Sequence, residues 1–499
     1  MERNKRLAAE RARLASGGGT KKQQAQKQAG KQTARERIGM LLDRDSFTEH
    51  LAFASGSGGE AGDGVIVGYG TISGRLVCVY AQDFTVSGGS LGAMHAKKIC
   101  AIMDLAYDMQ APLIALIDSG GARIQEGAKA LAGYGDIFKR NVRYSGAIPQ
   151  LSVMLGPCAG GAVYSPALTD AIFMVDQMSQ MVITGPKVLK AATGAEVKME
   201  DLGGARMHSE KSGVAHFCAK TEAELFVLVR QFLSYLPNNG AKKPCDKRVS
   251  EKVSAHLPRD SKTVYDMVPI ICGLADENSF FEWSKRYARN LITAFIRLDG
   301  QPVGVVANNP KHLAGCIDMD ASDKCARFVR FCDCFHIPLL VLEDVSGFIP
   351  GVEQESRGLI RHGAKIIYAF AEATVPKITV IVRKAYGGAY VALNSKALGA
   401  DFVYAWPGAE IAVMGPAGAA AVLHQKDIQA SNDPAKALLQ FEENYREKVA
   451  DPFSAAKEAL IDDVIEPDET RQRLIESFSI LACKDERANW QKKHGNMPL

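Results

Sequence analysis

Two patterns of apolar residues recur along the chain: short unbroken runs, and stripes at helical spacing. Pro112-Leu113-Ile114-Ala115-Leu116-Ile117-Asp118 is one run, and Pro149-Gln150-Leu151-Ser152-Val153-Met154-Leu155 is another. A run without polar alternation predicts a strand buried on both faces. Ahead of the first run, Ile99, Ile102, Met103 and Ala106 fall at i, i+3, i+4 and i+7, which predicts a helix with one apolar face. The set recurs 226 residues later. Cys325, Phe328, Val329 and Cys332 form the stripe, and Pro338-Leu339-Leu340-Val341-Leu342-Glu343-Asp344 forms the run. Pro376-Lys377-Ile378-Thr379-Val380-Ile381-Val382 repeats the second run at an offset of 227. Elements that recur in register predict a duplicated domain, with a period far too long for a solenoid.

Each half reads as helix, apolar strand, loop, helix, apolar strand, Gly-rich loop, helix. Strands of this kind alternating with helices predict an α/β fold of two tandem βαβ domains, each parallel sheet covered on both faces. Ligands of such sheets sit at the carboxyl ends of the strands. The turn Pro237-Asn238-Asn239-Gly240 and the polar stretch holding Pro244 and Pro258 mark the boundary. The expected division is 1–240, a linker over 241–262, and 263–499.

Composition narrows the class. Of 499 residues, 47% are apolar and 23% charged, which excludes disorder, collagen and coiled coil as descriptions of the whole chain. A net charge of +4 is too small for a dedicated nucleic-acid binder. The charge is unevenly spread, because residues 1–37 carry 11 Lys/Arg against 3 Asp/Glu. A solvated basic arm is expected there, with ligand contact as the alternative. Within it, Thr33-Ala34-Arg35-Glu36 fits a capping box opening a helix through Ile38, Leu41 and Leu42. No apolar run reaches the ~18 residues of a membrane span, and Met1-Glu2-Arg3-Asn4-Lys5-Arg6 has no apolar signal core. The 11 cysteines are scattered without C-x-x-C, and no H-E-x-x-H occurs. A cytoplasmic protein with reduced thiols and no metal is expected.

The candidate chemistry lies in paired glycines. Asp118-Ser119-Gly120-Gly121-Ala122-Arg123 follows the first strand of the N-terminal half, and Gly156-Pro157-Cys158-Ala159-Gly160-Gly161-Ala162 follows the second. Ser346-Gly347-Phe348-Ile349-Pro350-Gly351 and Ala385-Tyr386-Gly387-Gly388-Ala389-Tyr390 stand at the same places in the C-terminal half. Each is expected to end a strand and open a helix, whose first N–H groups lack partners and carry partial positive charge. Glycine lets a ligand approach such backbone closely. Two amides from different loops converging on one oxygen form an oxyanion hole, able to hold a thioester while an enolate develops. A tight turn is the plainer explanation of one Gly-Gly pair; four clusters at equivalent places favour the ligand-binding one. No G-x-G-x-x-G follows a strand, and the P-loop and G-x-S-x-G patterns are absent. Ser119 and Ser346 have no histidine placed by sequence to activate them.

These segments, with Gln82-Asp83-Phe84-Thr85-Val86-Ser87-Gly88-Gly89-Ser90, Ile360-Arg361-His362-Gly363-Ala364-Lys365, Arg383-Lys384 and Tyr404-Ala405-Trp406-Pro407, resemble the carboxyltransferase subunits of biotin-dependent acyl-CoA carboxylases. The resemblance runs from about residue 20 to Lys493-His494-Gly495-Asn496-Met497-Pro498-Leu499. The family includes propionyl-CoA carboxylase β chains, a transcarboxylase subunit acting on methylmalonyl-CoA, and methylmalonyl-CoA decarboxylase α chains. It implies two crotonase-like domains per chain, the N-terminal one binding acyl-CoA and the C-terminal one biotin. It also implies a homohexamer, a trimer of dimers, with each site at a dimer interface. Gly121, Ala122, Gly160 and Gly161 would frame the thioester hole, and Gly88, Gly89, Ser90 and Gly120 the CoA cleft. Gly347, Phe348, Gly387, Gly388 and Ala389 would frame the hole for the biotin ureido group, whose freed nitrogen would remove the α-proton. The basic residues of 1–37 would meet CoA phosphates.

The chain carries no biotinyl A-M-K-M motif, so biotin is expected on a separate carrier protein, charged by a biotin carboxylase or discharged by membrane decarboxylase subunits. Two positions depart from the family pattern. Ser346 stands where Pro is usual, and Val391 where many propionyl-CoA carboxylases have Asp near the acyl pocket. A sodium-pumping methylmalonyl-CoA decarboxylase α subunit is the alternative within the family. A biotin-independent hydratase or isomerase is the alternative outside it. That enzyme would need a carboxylate at the thioester hole, and Glu126 is the candidate that follows the first cluster.

Overall fold

A computed structural model describes residues 2–56, 61–236, 252–258, 263–484 and 496–498. The expected linker lies outside these residues except for 252–258, as does the closing 493–499 segment except for 496–498. The chain divides into two compact units, Met1–Ser234 and Tyr235–Leu499.

In the first unit a seven-stranded sheet runs in the order Thr48–His50, Val65–Ile72, Arg75–Gln82, Leu113–Ile117, Gln150–Met154, Ala171–Val175, Phe217–Ala219. The first three strands are antiparallel and the rest parallel. The two apolar runs are adjacent strands in the middle, buried throughout as their lack of alternation required. The antiparallel hairpin before them escapes a search for unbroken runs, because Gly68 and Gly70 interrupt it. Packing demands the first of these glycines: a Cβ at Gly68 would come 2.2 Å from the Thr48 carbonyl oxygen. The hairpin closes through Ser73 and Gly74, both at positive φ, the geometry that matches strand twist.

The second unit repeats this plan, in the order Phe281–Trp283, Leu291–Leu298, Gln301–Asn308, Leu339–Val345, Lys377–Tyr386, Phe402–Ala405, Asp463–Val464. Its hairpin closes through Asp299 and Gly300, again both at positive φ. The long helices Ala93–Asp108 and Met319–Cys334 bury the two predicted stripes. Beneath the second, Trp283, Phe295, Phe328 and Phe331 pack ring against ring.

The duplication extends to a buried cation. Lys98 and Lys324 stand 226 residues apart on the two long helices. Lys98 Nζ donates to the Gly62 and Val65 carbonyls at 2.8 and 2.6 Å. Lys324 Nζ donates to the Tyr287 and Leu291 carbonyls at 2.8 and 2.7 Å. Each ties its helix to the turn that enters the hairpin, and burial lowers both pKa values. Among the described residues no helix is long and apolar enough to cross a membrane, and none of the ten described cysteines is in a disulfide.

Candidate functional site

The N-terminal arm is helical, over Glu2–Ser16, Thr20–Gln28 and Ala34–Leu41. The capping box forms as read: Thr33 accepts from the Glu36 N–H, and the Glu36 carboxylate accepts from Thr33. The expectation of a solvated arm fails for its last basic residues. Arg37 is fully buried, with Nη1 2.8 Å from Asp118, Nη2 2.7 Å from Glu222, and a further bond to the Leu155 carbonyl at 2.8 Å. Lys31 Nζ lies 2.6 Å from Asp118, and burial lowers its pKa against the pull of that carboxylate. Both cations are spent inside the unit and are not offered to a ligand. Arg3, Lys5, Arg6, Arg11, Lys21 and Lys22 remain exposed.

This ion cluster anchors the first glycine loop. Asp118, fully buried, ends the strand Leu113–Ile117. Ser119 follows; its hydroxyl donates to the Gly89 carbonyl at 2.7 Å and accepts the Gly121 N–H at 3.2 Å. It serves as a strut, with no histidine near it in these bonds. The Gly120 N–H donates to the Gly88 carbonyl at 2.9 Å, and a Cβ at Gly89 would sit 2.2 Å from the Asp118 carbonyl oxygen. Gly88, Gly89 and Gly120 thus lock two loops together, while the Ser90 hydroxyl turns back to the Ser87 carbonyl.

As expected the loop opens a helix, a 3-10 turn over Ile124–Glu126 with Arg123 at its N-cap that leads into Ala128–Tyr144, but Gly121 and Ala122 lie ahead of its first turn. Gly121, at φ +99°, passes into an extended bridge in which the Leu91 N–H donates to the Gly121 carbonyl and the Arg123 N–H to the Leu91 carbonyl, both at 2.9 Å. Alternate amides of extended backbone face opposite ways, so the Ala122 N–H is turned away from Leu91. The second loop opens its helix at the glycines themselves, a 3-10 turn over Gly160–Val163 that leads into Tyr164–Ala167. The loops meet where a Cβ at Gly121 would lie 3.1 Å from the Ala159 carbonyl oxygen.

The second unit builds the same pair. Asp344 is buried, with Arg383 Nε and the Tyr265 hydroxyl donating to it at 2.9 and 2.8 Å. Burial raises its carboxyl above the ordinary value against the pull of Arg383. Gly347, at φ +146°, accepts from Ile317 at 3.1 Å, and Ile349 donates to Ile317 at 2.8 Å, which turns the Phe348 N–H outward as at Ala122. The Phe348 ring rests on Gly363, where a Cβ would come within 2.9 Å of it. The strand Lys377–Tyr386 runs into the helix Gly387–Ala392, which packs on the strand Leu339–Val345 and carries buried Ala389 and half-exposed Val391.

Neighbouring atoms separate structural glycines from the others. Gly89, Gly156 and Gly363 are enforced by packing, and Gly160 and Gly387 by left-handed backbone, at φ +66° and +61°. Gly161 and Gly388 have neither reason. Their φ is ordinary and a Cβ on either would meet nothing within 4 Å. Each stands in the first turn of its helix, where N–H groups lack intrahelical acceptors. Glu126 is committed elsewhere: it accepts the Ala93 N–H at 2.6 Å and pairs with Arg123 at 2.8 Å, capping the helix Ala93–Asp108. Among the described residues no three His, Cys, Asp or Glu side chains gather as for a metal. The sequence reading missed the roles of Asp118, Asp344 and Arg37. The first two were legible as aspartates ending both runs at one offset, whereas nothing local marked Arg37.

The carboxyl transferase domain signature matches residues 25–497. The methylmalonyl-CoA decarboxylase subunit alpha of Propionigenium modestum is 50% identical, over 99% of this chain and 98% of the relative. The propionyl-CoA carboxylase beta chain of Roseobacter denitrificans is 50% identical, over 98% of each chain. The crystal structure of transcarboxylase 12S, a hexamer with methylmalonyl-coenzyme A and methylmalonic acid bound, superposes with a TM-score of 0.96 at 45% identity, over 100% of this chain and 98% of the other. A sheet plan repeated in two units, a doubled pair of glycine loops and these whole-length matches lead to one conclusion: the chain belongs to the carboxyl transferase domain family.

Proposed function

We propose that this chain transfers a carboxyl group between carboxybiotin on a separate carrier protein and a short-chain acyl-CoA. The propionyl-CoA and methylmalonyl-CoA pair is the substrate, with acetyl-CoA as a further acceptor. The observation that carries this reading is the doubled, unobstructed glycine: Gly161 and Gly388 at equivalent places, each free of any internal need for glycine. In the N-terminal unit, Ala122 and Gly161 offer N–H groups to the thioester oxygen, with Gly121 and Gly160 shaping the two loops. Negative charge that develops on this oxygen as the α-proton leaves is stabilised by fixed dipoles needing no reorganisation. In the C-terminal unit, Phe348 and Gly388 offer the same pair to the ureido oxygen of biotin, supported by Gly347, Gly387 and Ala389. The open space over Gly388 lets a ligand approach the backbone there. Biotin supplies the carboxyl group and, once relieved of it, a basic ureido nitrogen. The N-terminal unit is the acyl-CoA domain on this reading and the C-terminal unit the biotin domain. Arg3, Lys5, Arg6, Arg11, Lys21 and Lys22 are the exposed cations left for CoA phosphates.

The transfer is reversible, and a carboxylase chain and a decarboxylase chain are each 50% identical to this one. Direction therefore follows from the partner, a biotin carboxylase or a membrane decarboxylase complex. A biotin-independent hydratase is disfavoured by the commitment of Glu126 to a helix cap. Ile124, Val352, Ile360 and Val413 are at least 80% exposed around the glycine loops, which supports burial of both loop sets in a homohexameric trimer of dimers. One preparation tests both statements. Light scattering should give the mass of six chains, and those fractions should convert methylmalonyl-CoA to propionyl-CoA only when a biotinylated carrier is present. Conversion without biotin would overturn the chemistry, and full activity in a monodisperse monomer would overturn the shared site.

Val391, on the helix Gly387–Ala392, is proposed to line the acyl pocket. A difference of one methylene in such a pocket is worth about 1–3 kcal/mol. Val391→Asp should therefore change the ratio of acetyl-CoA to propionyl-CoA carboxylation by about tenfold, measured with both thioesters in competition. An unchanged ratio would remove Val391 from the pocket.

A further inference from the structure

The strand Leu339–Val345 carries an acid that the proposed chemistry does not use. Glu343 is fully buried, and neither Oε atom has a hydrogen-bond partner among the described residues. Unpaired buried carboxylates are costly enough that the group neutralises instead. The equivalent position of the N-terminal unit holds Ile117, so the duplicated plan has no general need of an acid here. In strand register Glu343 lies beside Ile381. Ile381, Ala385 and Val403 form the apolar cluster against which Tyr390 packs. Glu343 therefore shares the face of the sheet on which the helix Gly387–Ala392 rests.

We propose that Glu343 is a positioning residue for the C-terminal glycine loops, a carboxylic acid that must stay un-ionised for the helix Gly387–Ala392 to remain seated on its strand. Asp344 is next along the strand, so its side chain points to the other face, where Arg383 and Tyr265 hold it. Tyr390 is the titratable group facing Glu343 from the helix, its hydroxyl pushed up to about 12 by burial and then by Glu343. No cation acts on Glu343 among the described residues; burial, and then Asp344, raise its pKa well above the ordinary carboxylate range. Unseating the helix hydrates the acid and returns it to ordinary carboxylate behaviour. Above the ordinary carboxylate pKa and below the raised one, the seated state holds a proton that the unseated state releases. The seated state is thus favoured at low pH and loses ground as pH rises.

Linkage of one proton to the opening makes its equilibrium constant rise about tenfold per pH unit across that window. Amide hydrogen exchange between pH 6 and pH 9, corrected for intrinsic rates, reads this directly on the full-length protein. In the wild type, peptides spanning 384–395 should lose protection as pH rises, by up to about tenfold per pH unit, relative to peptides spanning 157–168, the equivalent helix without the acid. Glu343→Gln and Glu343→Ile, a neutral isostere and the residue found in the other unit, should each remove that slope. Equal slopes in the two peptides of the wild type, or an unchanged slope in whichever variant folds, would overturn the proposal. The link to activity rests on assigning this unit to biotin. Exchange is measured without substrate, so failure of that assignment would leave the exchange result intact.

Discussion

Gly161→Val and Gly388→Val should each lower carboxyl transfer by about 10²–10³, the usual loss for one oxyanion donor, and should do so by different routes. Neither change should disturb the fold. Both residues have ordinary φ, and no atom lies within 4 Å of where the new Cβ would stand. The added methyl groups instead occupy the space reserved for the ligand oxygen. Gly161→Val should weaken acyl-CoA binding by calorimetry yet keep the slow decarboxylation of carboxybiotin without acceptor. Gly388→Val should bind acyl-CoA normally and lose that decarboxylation. A variant with native melting behaviour and wild-type rates would show that its loop holds no ligand. The contrast with Gly89→Val is a built-in control. A side chain there meets the Asp118 carbonyl at 2.2 Å, so that variant should fail by misfolding and not by selective loss of one half-reaction.

Arg37→Met should destabilise the N-terminal unit by ~3–5 kcal/mol, because removal of one partner leaves buried charge uncompensated. Arg37 joins Asp118 to Glu222, and all three side chains are nearly inaccessible. Lys31 continues to face Asp118, but Glu222 would lose the cation that holds it. Urea unfolding checks the value. The double variant Arg37→Met, Glu222→Gln should recover part of the loss, since it removes the charge left unpaired. A loss below about 1 kcal/mol, typical of an exposed pair, would mean that water reaches the cluster. Acyl-CoA affinity should fall as well, because Asp118 is the residue from which the first glycine loop departs.

How far the sequence could be read depended on the range of the interaction. The capping box at Thr33 and Glu36 lies within four residues and formed as read. The strands Leu113–Ile117 and Leu339–Val345 were legible because burial on both faces leaves no room for polar alternation. The loop after Asp118 opens a helix as read, but the extended path of Gly121 and Ala122 ahead of it was not legible, because a bridge to Leu91, some thirty residues away, sets it. Lys31 and Arg37, at the end of the arm, were misread for the same reason. A charge run looks solvated until a carboxylate 81 residues on, and another 185 residues on, are folded against it.

By itself, the sequence determined the duplication, the central strands, the long helices and the places where glycine loops end strands, since hydrophobic periodicity and backbone freedom are local properties. Only the tertiary structure decided which glycines serve packing and which stand open, because a Cβ is tolerated or refused by atoms that arrive from elsewhere in the chain. At Gly89 and Gly363 such atoms are present, a carbonyl oxygen and a phenyl ring. At Gly161 and Gly388 none lie within 4 Å, and a difference of that kind is not written in the residues on either side.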